Sequence, residues 1–198
     1  ARGPASVGLS GGSTPKAFYA WVVRTGALTA EALARIDWHV SDERCVPLSS
    51  DDSNFGHAAR GMLDALGVPA ARRFAWPVEL PPVEAAAAYE AAWAARSPAK
   101  AFDLCVLGLG DDSHIASLWP QCPLIGRAPG PRFVATEWPG RGWRLTITEA
   151  GLAQCAAIVV LVGGAAKASA LREITCGDFE PSLHPGQTLR AFAPRVTW

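Results

Sequence analysis

Short apolar runs recur along the 198 residues, each closed by glycine or charge and most followed by a stretch of helical spacing. Ala5 to Ser10 (ASVGLS) is the first, and it ends in Ser10-Gly11-Gly12-Ser13-Thr14-Pro15. Beyond that turn Ala17, Phe18, Trp21 and Val22 make a helical stripe. Pro15 suits a first helical position, with Ser13 or Thr14 as its N-cap. Thr29 to Arg35 predicts a short helix capped by Thr29. Asp37 to Val40 predicts the next strand, which leads into Asp42-Glu43-Arg44. A loop over Cys45 to Asp52 follows, and Ser53-Asn54 caps a helix to about Leu66. Val68 to Pro82 is proline-rich and irregular, with a strand expected over Phe74 to Val78. Val83 to Ala95 reads as an alanine-rich helix.

Phe102 to Leu107 is apolar on both faces, the pattern of a strand buried in a parallel sheet. It runs into Gly108-Leu109-Gly110 and then Asp111, Asp112, Ser113 and His114. After a Gly/Pro loop, Phe133 to Glu137 and the alternating Trp143 to Thr148 predict two more strands. Thr148 or Glu149 opens a short helix. Ile158 to Val162 is another buried-type strand, closed by Gly163-Gly164. Ala165 to Ile174 follows as a helix with Lys167 in its first turn, then loop and short helix over Pro181 to Phe192, and an edge strand over Arg195 to Trp198. Strands alternating with helices predict one α/β domain over residues 1–198: a Rossmann-like, parallel-rich sheet with helices on both faces.

Composition narrows the partners. Hydrophobic residues at 49% and charged residues at 18% suit a packed globule rather than a disordered chain. Eighteen basic residues balance eighteen acidic ones, and no basic stripe is present, so nucleic acid is not an expected partner. No apolar run reaches the ~20 residues of a membrane span. Five scattered cysteines without a C-x-x-C pair argue against zinc or dithiol chemistry and for a reducing, cytoplasmic setting.

Parallel strands would gather the glycine turns and charge clusters on one rim. Ser10, Gly11, Gly12, Ser13 and Thr14 bring backbone N–H groups and hydroxyls at a helix start; Lys167 and Arg44 add cations. Together these suit a phosphate. Taken singly, each turn has a plainer reading, a simple strand-to-helix connection. His114 is the histidine next to a carboxylate at a strand end, and Asp112 can orient it as a general base. Its plainer reading is a helix-capping histidine. His39, His57 and His184 read as packing or surface residues. Cys105 lies within a strand and reads as inert. Ser117 reads as lying on a helical turn after His114, outside any nucleophile-elbow context.

Four stretches together resemble the 6-phosphogluconolactonase family: Ser10-Gly-Gly-Ser-Thr-Pro15; Asp42-Glu-Arg-Cys-Val-Pro47 with Ser53-Asn54; Gly108 to Pro120; and Arg144-Leu-Thr-Ile-Thr148 with Gly163-Gly-Ala-Ala-Lys167. The related glucosamine-6-phosphate deaminases follow their histidine with Ala-Phe-Asn-Glu-Pro, where this chain has Ala116-Ser-Leu-Trp-Pro120. The resemblance implies a cofactor-free, metal-free hydrolase opening 6-phospho-D-glucono-1,5-lactone to 6-phospho-D-gluconate in the pentose phosphate pathway. It implies a fold shared with those deaminases and with ribose-5-phosphate isomerases. His114, Asp112 and Asp42 fall on its catalytic side; Ser10 to Thr14, Arg44, Asn54 and Lys167 fall on its sugar-phosphate side. Alternatives are a deaminase or isomerase of an aminosugar phosphate, and a sugar-phosphate-binding protein without turnover. Ser113 stands where the family usually has glycine, and Asp111 where it often has proline. A positive φ at that glycine would leave Ser113 strained or shift the turn. Family members also carry a helix and further strand ahead of the Gly-Gly-Ser-Thr-Pro turn, so an N-terminal segment is expected beyond these residues.

Overall fold

The computed structural model describes residues 3–198. β1 (Ala5–Leu9) leads to α1 (Ser13–Thr25) and α2 (Ala30–Ala34), then β2 (Ile36–Val40) and β3 (Asp42–Arg44). α3 (Asn54–Ala58) continues as a π-helical turn over Ala59–Leu63, and α4 (Pro82–Arg96) precedes β4 (Leu104–Gly108). Next come β5 (Phe133–Trp138), β6 (Gly142–Ile147), α5 (Glu149–Ala153) and β7 (Ala157–Leu161). α6 (Ala168–Cys176), a long 3-10 segment over Pro185–Arg195 and β8 (Val196–Thr197) close the chain.

Five strands form the main sheet in the order β2-β1-β4-β7-β8, all parallel. The chain moves outward from β1 to β2, then crosses back to β4 and proceeds through β7 to β8. Right-handed crossovers in opposite directions place helices on opposite faces. The reversal between β1 and β4 is a topological switch point, where a crevice opens beyond the carboxyl ends of the strands. Both glycine turns that follow those strands, Ser10 to Thr14 and Gly108 to Gly110, lie there.

Three expectations are corrected. The Asp42-Glu43-Arg44 charges are not simply a cluster at the end of a parallel strand. They form β3 of a second, antiparallel sheet, ordered β3-β6-β5, in which Asp42 faces Thr146 and Arg44 faces Arg144. Phe74 to Val78 is not a strand; one bridge pairs Arg73 with Trp38, and Phe74 N donates to Trp38 O. Its proline and tryptophan pack rather than pair, and Trp76 is buried against Tyr89 at 4.0 Å between ring centroids. Finally, neither Ser13 nor Thr14 caps α1. Gly12 holds the cap position at φ 100°, a conformation that costs glycine little and other residues much.

Most remaining elements lie within a residue or two of their expected places. The helix expected from Ala165 starts as a 3-10 turn over Ala165–Lys167 before α6, and the helix expected to about Leu66 ends in the π-helical turn at Leu63. The expected short helix near the end of the chain is the 3-10 segment that runs on to Arg195. Thr29, Ser53 and Thr148 cap α2, α3 and α5 through their side-chain oxygens. The core is aromatic: Trp76, Tyr89, Trp93, Phe102 and Phe133 interlock under α4. His39 belongs to that core. Its Nδ1 is bonded to Tyr89 Oη at 2.8 Å, and burial lowers its pKa to about 3, so it is a neutral packing residue. Among the described residues no helix is long and apolar enough to cross a membrane.

Candidate active site

A cavity of about 200 Å³ opens at the switch point, and every residue nominated for the site lines it except Asp112. One wall is the turn after β1. Ser10 Oγ accepts from Gly108 N at 3.2 Å and so ties the ends of β1 and β4 together. The buried Tyr19 hydroxyl donates to Ser10 O at 2.5 Å and anchors the turn onto α1. The first amides of α1 have no intrahelical acceptors and carry the positive end of the helix dipole into the cavity.

The second wall comes from β3 and the start of α3. Glu43 is fully buried and accepts four hydrogen bonds: Arg44 N and Asn54 N on Oε1, Ser53 Oγ and Phe55 N on Oε2. Burial pushes its carboxyl up while these donors pull it back. The carboxylate thereby caps the amide end of α3 and fixes its two neighbours, Asp42 and Arg44, on the cavity side. Asn54 Nδ2 donates to Asp42 O at 2.8 Å. Its Oδ1 is buried without a partner beside Gly11, where a Cβ would meet it at 1.9 Å. Asp42 Oδ2 accepts from Ser117 Oγ at 2.8 Å. Arg44 Nη1 donates to Asp52 O at 2.5 Å. Arg44 also lines an adjoining cavity with Arg144, directly opposite it in the β3–β6 ladder. Burial first, and the facing Arg44 second, lower the Arg144 pKa. Like charges set opposite each other weaken a strand pair, so this placement costs stability and concentrates positive charge beside the site.

The third wall is the turn after β4. Asp112 Oδ1 accepts from His114 Nδ1 at 2.6 Å and from His114 N at 3.2 Å. The histidine bond holds the Asp112 carboxyl down to about 2, so it is ionised at neutral pH. A carboxylate only accepts, hence Nδ1 carries the ring's proton in the neutral imidazole and Nε2 is its basic nitrogen. The ring edge packs on Trp138 at 5.1 Å and 79°, and Trp138 stacks on Trp119 at 4.9 Å. Gly110 makes this geometry possible, since a Cβ there would lie 1.9 Å from His114 Nδ1. Ser113 does sit at positive φ, 71°, at a cost of about 1 kcal/mol or more for a serine. Lys167 reaches the cavity from the turn after β7 and pairs with Asp111. Among the described residues no group of three or more His, Cys, Asp or Glu side chains is placed to hold a metal ion.

Several contributors had no separate signal in the sequence. Trp138 and Thr146 reach the site from the second sheet, and His184 reaches Ser113 from far along the chain. Ser117 is not on a helix; it is buried, its N donates to Thr146 Oγ1, and its hydroxyl donates to Asp42 Oδ2. The Ser-Leu-Trp-Pro run marked Ser117 and Trp119, but not what they touch. Cys105 is fully buried, and the hydrogen bond it shares with Cys155, with burial second, pushes its thiol up, so it is inert.

A sequence profile of the family described as glucosamine-6-phosphate isomerases/6-phosphogluconolactonase matches residues 1–198. The chain belongs to this family. Within the glucosamine-6-phosphate isomerase/6-phosphogluconolactonase family, it is 34% identical to the 6-phosphogluconolactonase of Synechocystis sp. over 197 residues, 96% of this chain and 79% of that protein. The 6-phosphogluconolactonase of Rhizobium meliloti is 34% identical over 208 residues, covering 98% and 83% of the two chains. The structure of 6-phosphogluconolactonase from Thermotoga maritima matches with a TM-score of 0.77 at 28% identity, over 91% of this chain and 80% of that one. A monomeric glucosamine-6-phosphate deaminase matches with a TM-score of 0.79 at 19% identity, over 95% and 82% of the two chains, and shows the fold common to both branches of the family.

Proposed function

We propose that this chain hydrolyses 6-phospho-D-glucono-1,5-lactone to 6-phospho-D-gluconate, with His114 as general acid/base. Lactone hydrolysis rests on the family and on two relatives named 6-phosphogluconolactonase at 34% identity. The role of His114 rests on one observation above others: an imidazole whose Nδ1 is held by an ionised carboxylate at 2.6 Å, lining the switch-point cavity.

The substrate's phosphate takes the side of the cavity built by the amides and hydroxyls of Ser10 to Thr14, Lys167 and Arg44. Helix N-terminal amides and two cations match a dianion in both charge and geometry. Asn54 and Asp42 face the sugar hydroxyls. That grip places the lactone carbonyl beside His114. Nε2 takes a proton from water as its oxygen bonds to C1. Asp112 stabilises the imidazolium so formed. As the tetrahedral adduct collapses, the bond from C1 to the ring oxygen breaks, and Nε2 returns the proton to that oxygen. A general base of this kind supplies about 10²–10⁴-fold, and orientation by the phosphate grip adds to it.

Fresh 6-phosphogluconolactone followed by NMR, with and without protein, tests the assignment. Accelerated loss of the lactone to 6-phosphogluconate supports it. Decay at the spontaneous rate with 6-phosphogluconate bound would identify a sensor, and ammonia release from glucosamine 6-phosphate would identify a deaminase.

A further inference from the structure

We propose that His184 is a positioning residue for His114 and acts through Ser113. The inference rests on the reading of His114 as the catalytic base. Ser113 immediately precedes His114, so its backbone angles set the direction in which the imidazole leaves the turn. At φ 71° it occupies a region that serine avoids, and relaxation to negative φ would rotate the peptide leading into His114. The turn's own bonds, Gly110 N to His114 O at 2.9 Å and Ser113 N to Gly110 O at 3.2 Å, hold its two ends but not the Ser113 side chain.

Two contacts from one distant segment hold Ser113, one on its hydroxyl and one on its carbonyl. Ser113 Oγ shares a hydrogen bond with His184 Nδ1 at 3.2 Å, and Gly186 N donates to Ser113 O at 2.9 Å. Ser113 is only 2% exposed, so its hydroxyl is shielded from water. The segment that grips it is itself fixed. Gln187 is fully buried; its Oε1 accepts from Glu180 N at 2.6 Å, and its Nε2 donates to Glu173 O at 2.8 Å and Asp178 O at 2.7 Å. His184 N donates to Glu180 O, and Gln187 N donates to His184 O. His184 therefore sits on a bracket tied to α6, behind the catalytic turn, and does not line the cavity. A glycine at position 113 would hold positive φ without a tether. A serine there is held by tethers, and His184 supplies the one on its side chain.

The test is a double-mutant cycle read as kcat and KM for lactone hydrolysis at constant pH. H184A should lower kcat about tenfold with KM within about twofold, because only the aim of His114 changes; a displacement of ~1 Å is worth up to about a hundredfold. S113G should stay within about threefold of the unaltered enzyme, and adding H184A to it should cost less than about twofold. An equal loss from H184A in both backgrounds would mean a merely structural histidine and overturn the proposal, as would an H184A enzyme with unaltered kcat. If H184A fails to fold, S113A decides the matter, since it keeps the strain and the backbone bond from Gly186 and removes only the hydroxyl held by His184. S113A about tenfold slower than S113G supports the coupling, and equal rates overturn it. H114A is the control on the underlying reading. Full turnover in H114A removes the premise, whereas an inactive H114A with an additive cycle removes only the role of His184.

Discussion

Replacing Gly110 with alanine tests the geometry of the catalytic turn with a single methyl group. The backbone at Gly110 does not have positive φ, so alanine brings no conformational penalty of its own. Its Cβ would lie 1.9 Å from His114 Nδ1, 2.3 Å from Cε1 and 2.6 Å from Asp112 Oδ1. Non-bonded heavy atoms settle near about 3.5 Å, so the ring must retreat by about 1.5 Å and break its bond to Asp112. The His114 side chain is 27% exposed and can swing towards solvent, so the change should be cheap for the fold. For catalysis it is not. A misplacement of ~1 Å can cost about a hundredfold in rate, and a hundredfold is about 2.7 kcal/mol of activation free energy. The phosphate side of the cavity is untouched, so KM should move less than about threefold. Steady-state lactone hydrolysis measured beside a thermal melt reads both quantities. A G110A enzyme with unaltered kcat would refute the placement of His114 against Asp112.

Three further outcomes follow from the same contacts. Arg44→Ala and Lys167→Ala should each raise KM roughly ten- to a hundredfold with kcat little changed, since charge-assisted hydrogen bonds are worth about 1.5–3 kcal/mol; a fall confined to kcat would remove them from the phosphate grip. Asp111→Asn should lower KM by about two- to fivefold, because it frees Lys167 from an exposed ion pair worth at most about 1 kcal/mol and removes a carboxylate that repels the dianion; a raised KM would show that Asp111 instead orients the lysine. Glu43→Ala should cost about 3 kcal/mol in a urea melt, since four donors, three of them buried, lose their acceptor at once; a loss below about 1 kcal/mol would deny it the role of holding α3 against β3.

The parts of this site that could be read from the sequence are those whose signal is local. Gly11-Gly12 and Gly108-Leu-Gly110 punctuate apolar runs, and Asp112 and His114 stand two positions apart, so strand, turn and pair follow from neighbours in the chain. In the second sheet β5 and β6 were legible as apolar or alternating runs, but β3 gave no such signal. Asp42-Glu43-Arg44 reads as charge at the end of the preceding strand because its partners, Arg144 to Thr146, lie a hundred residues further along, and burial of Glu43 depends on donors from α3. Gly12 displaced Ser13 and Thr14 from the cap of α1 because the turn needs positive φ at that point. Trp138 against His114 and His184 against Ser113 are tertiary contacts with no periodicity to announce them. Ser113 is intermediate between the two cases. Its departure from glycine is visible in the chain, but its tether is visible only in the fold.

The central claim is that the imidazole of His114 carries the proton in lactone hydrolysis. Its most direct test is turnover of fresh 6-phosphogluconolactone by a folded His114→Ala enzyme, with the spontaneous rate subtracted. A fall in kcat of about a hundredfold or more, with KM within about threefold, is the predicted result. Turnover at the rate of the unaltered enzyme would contradict it.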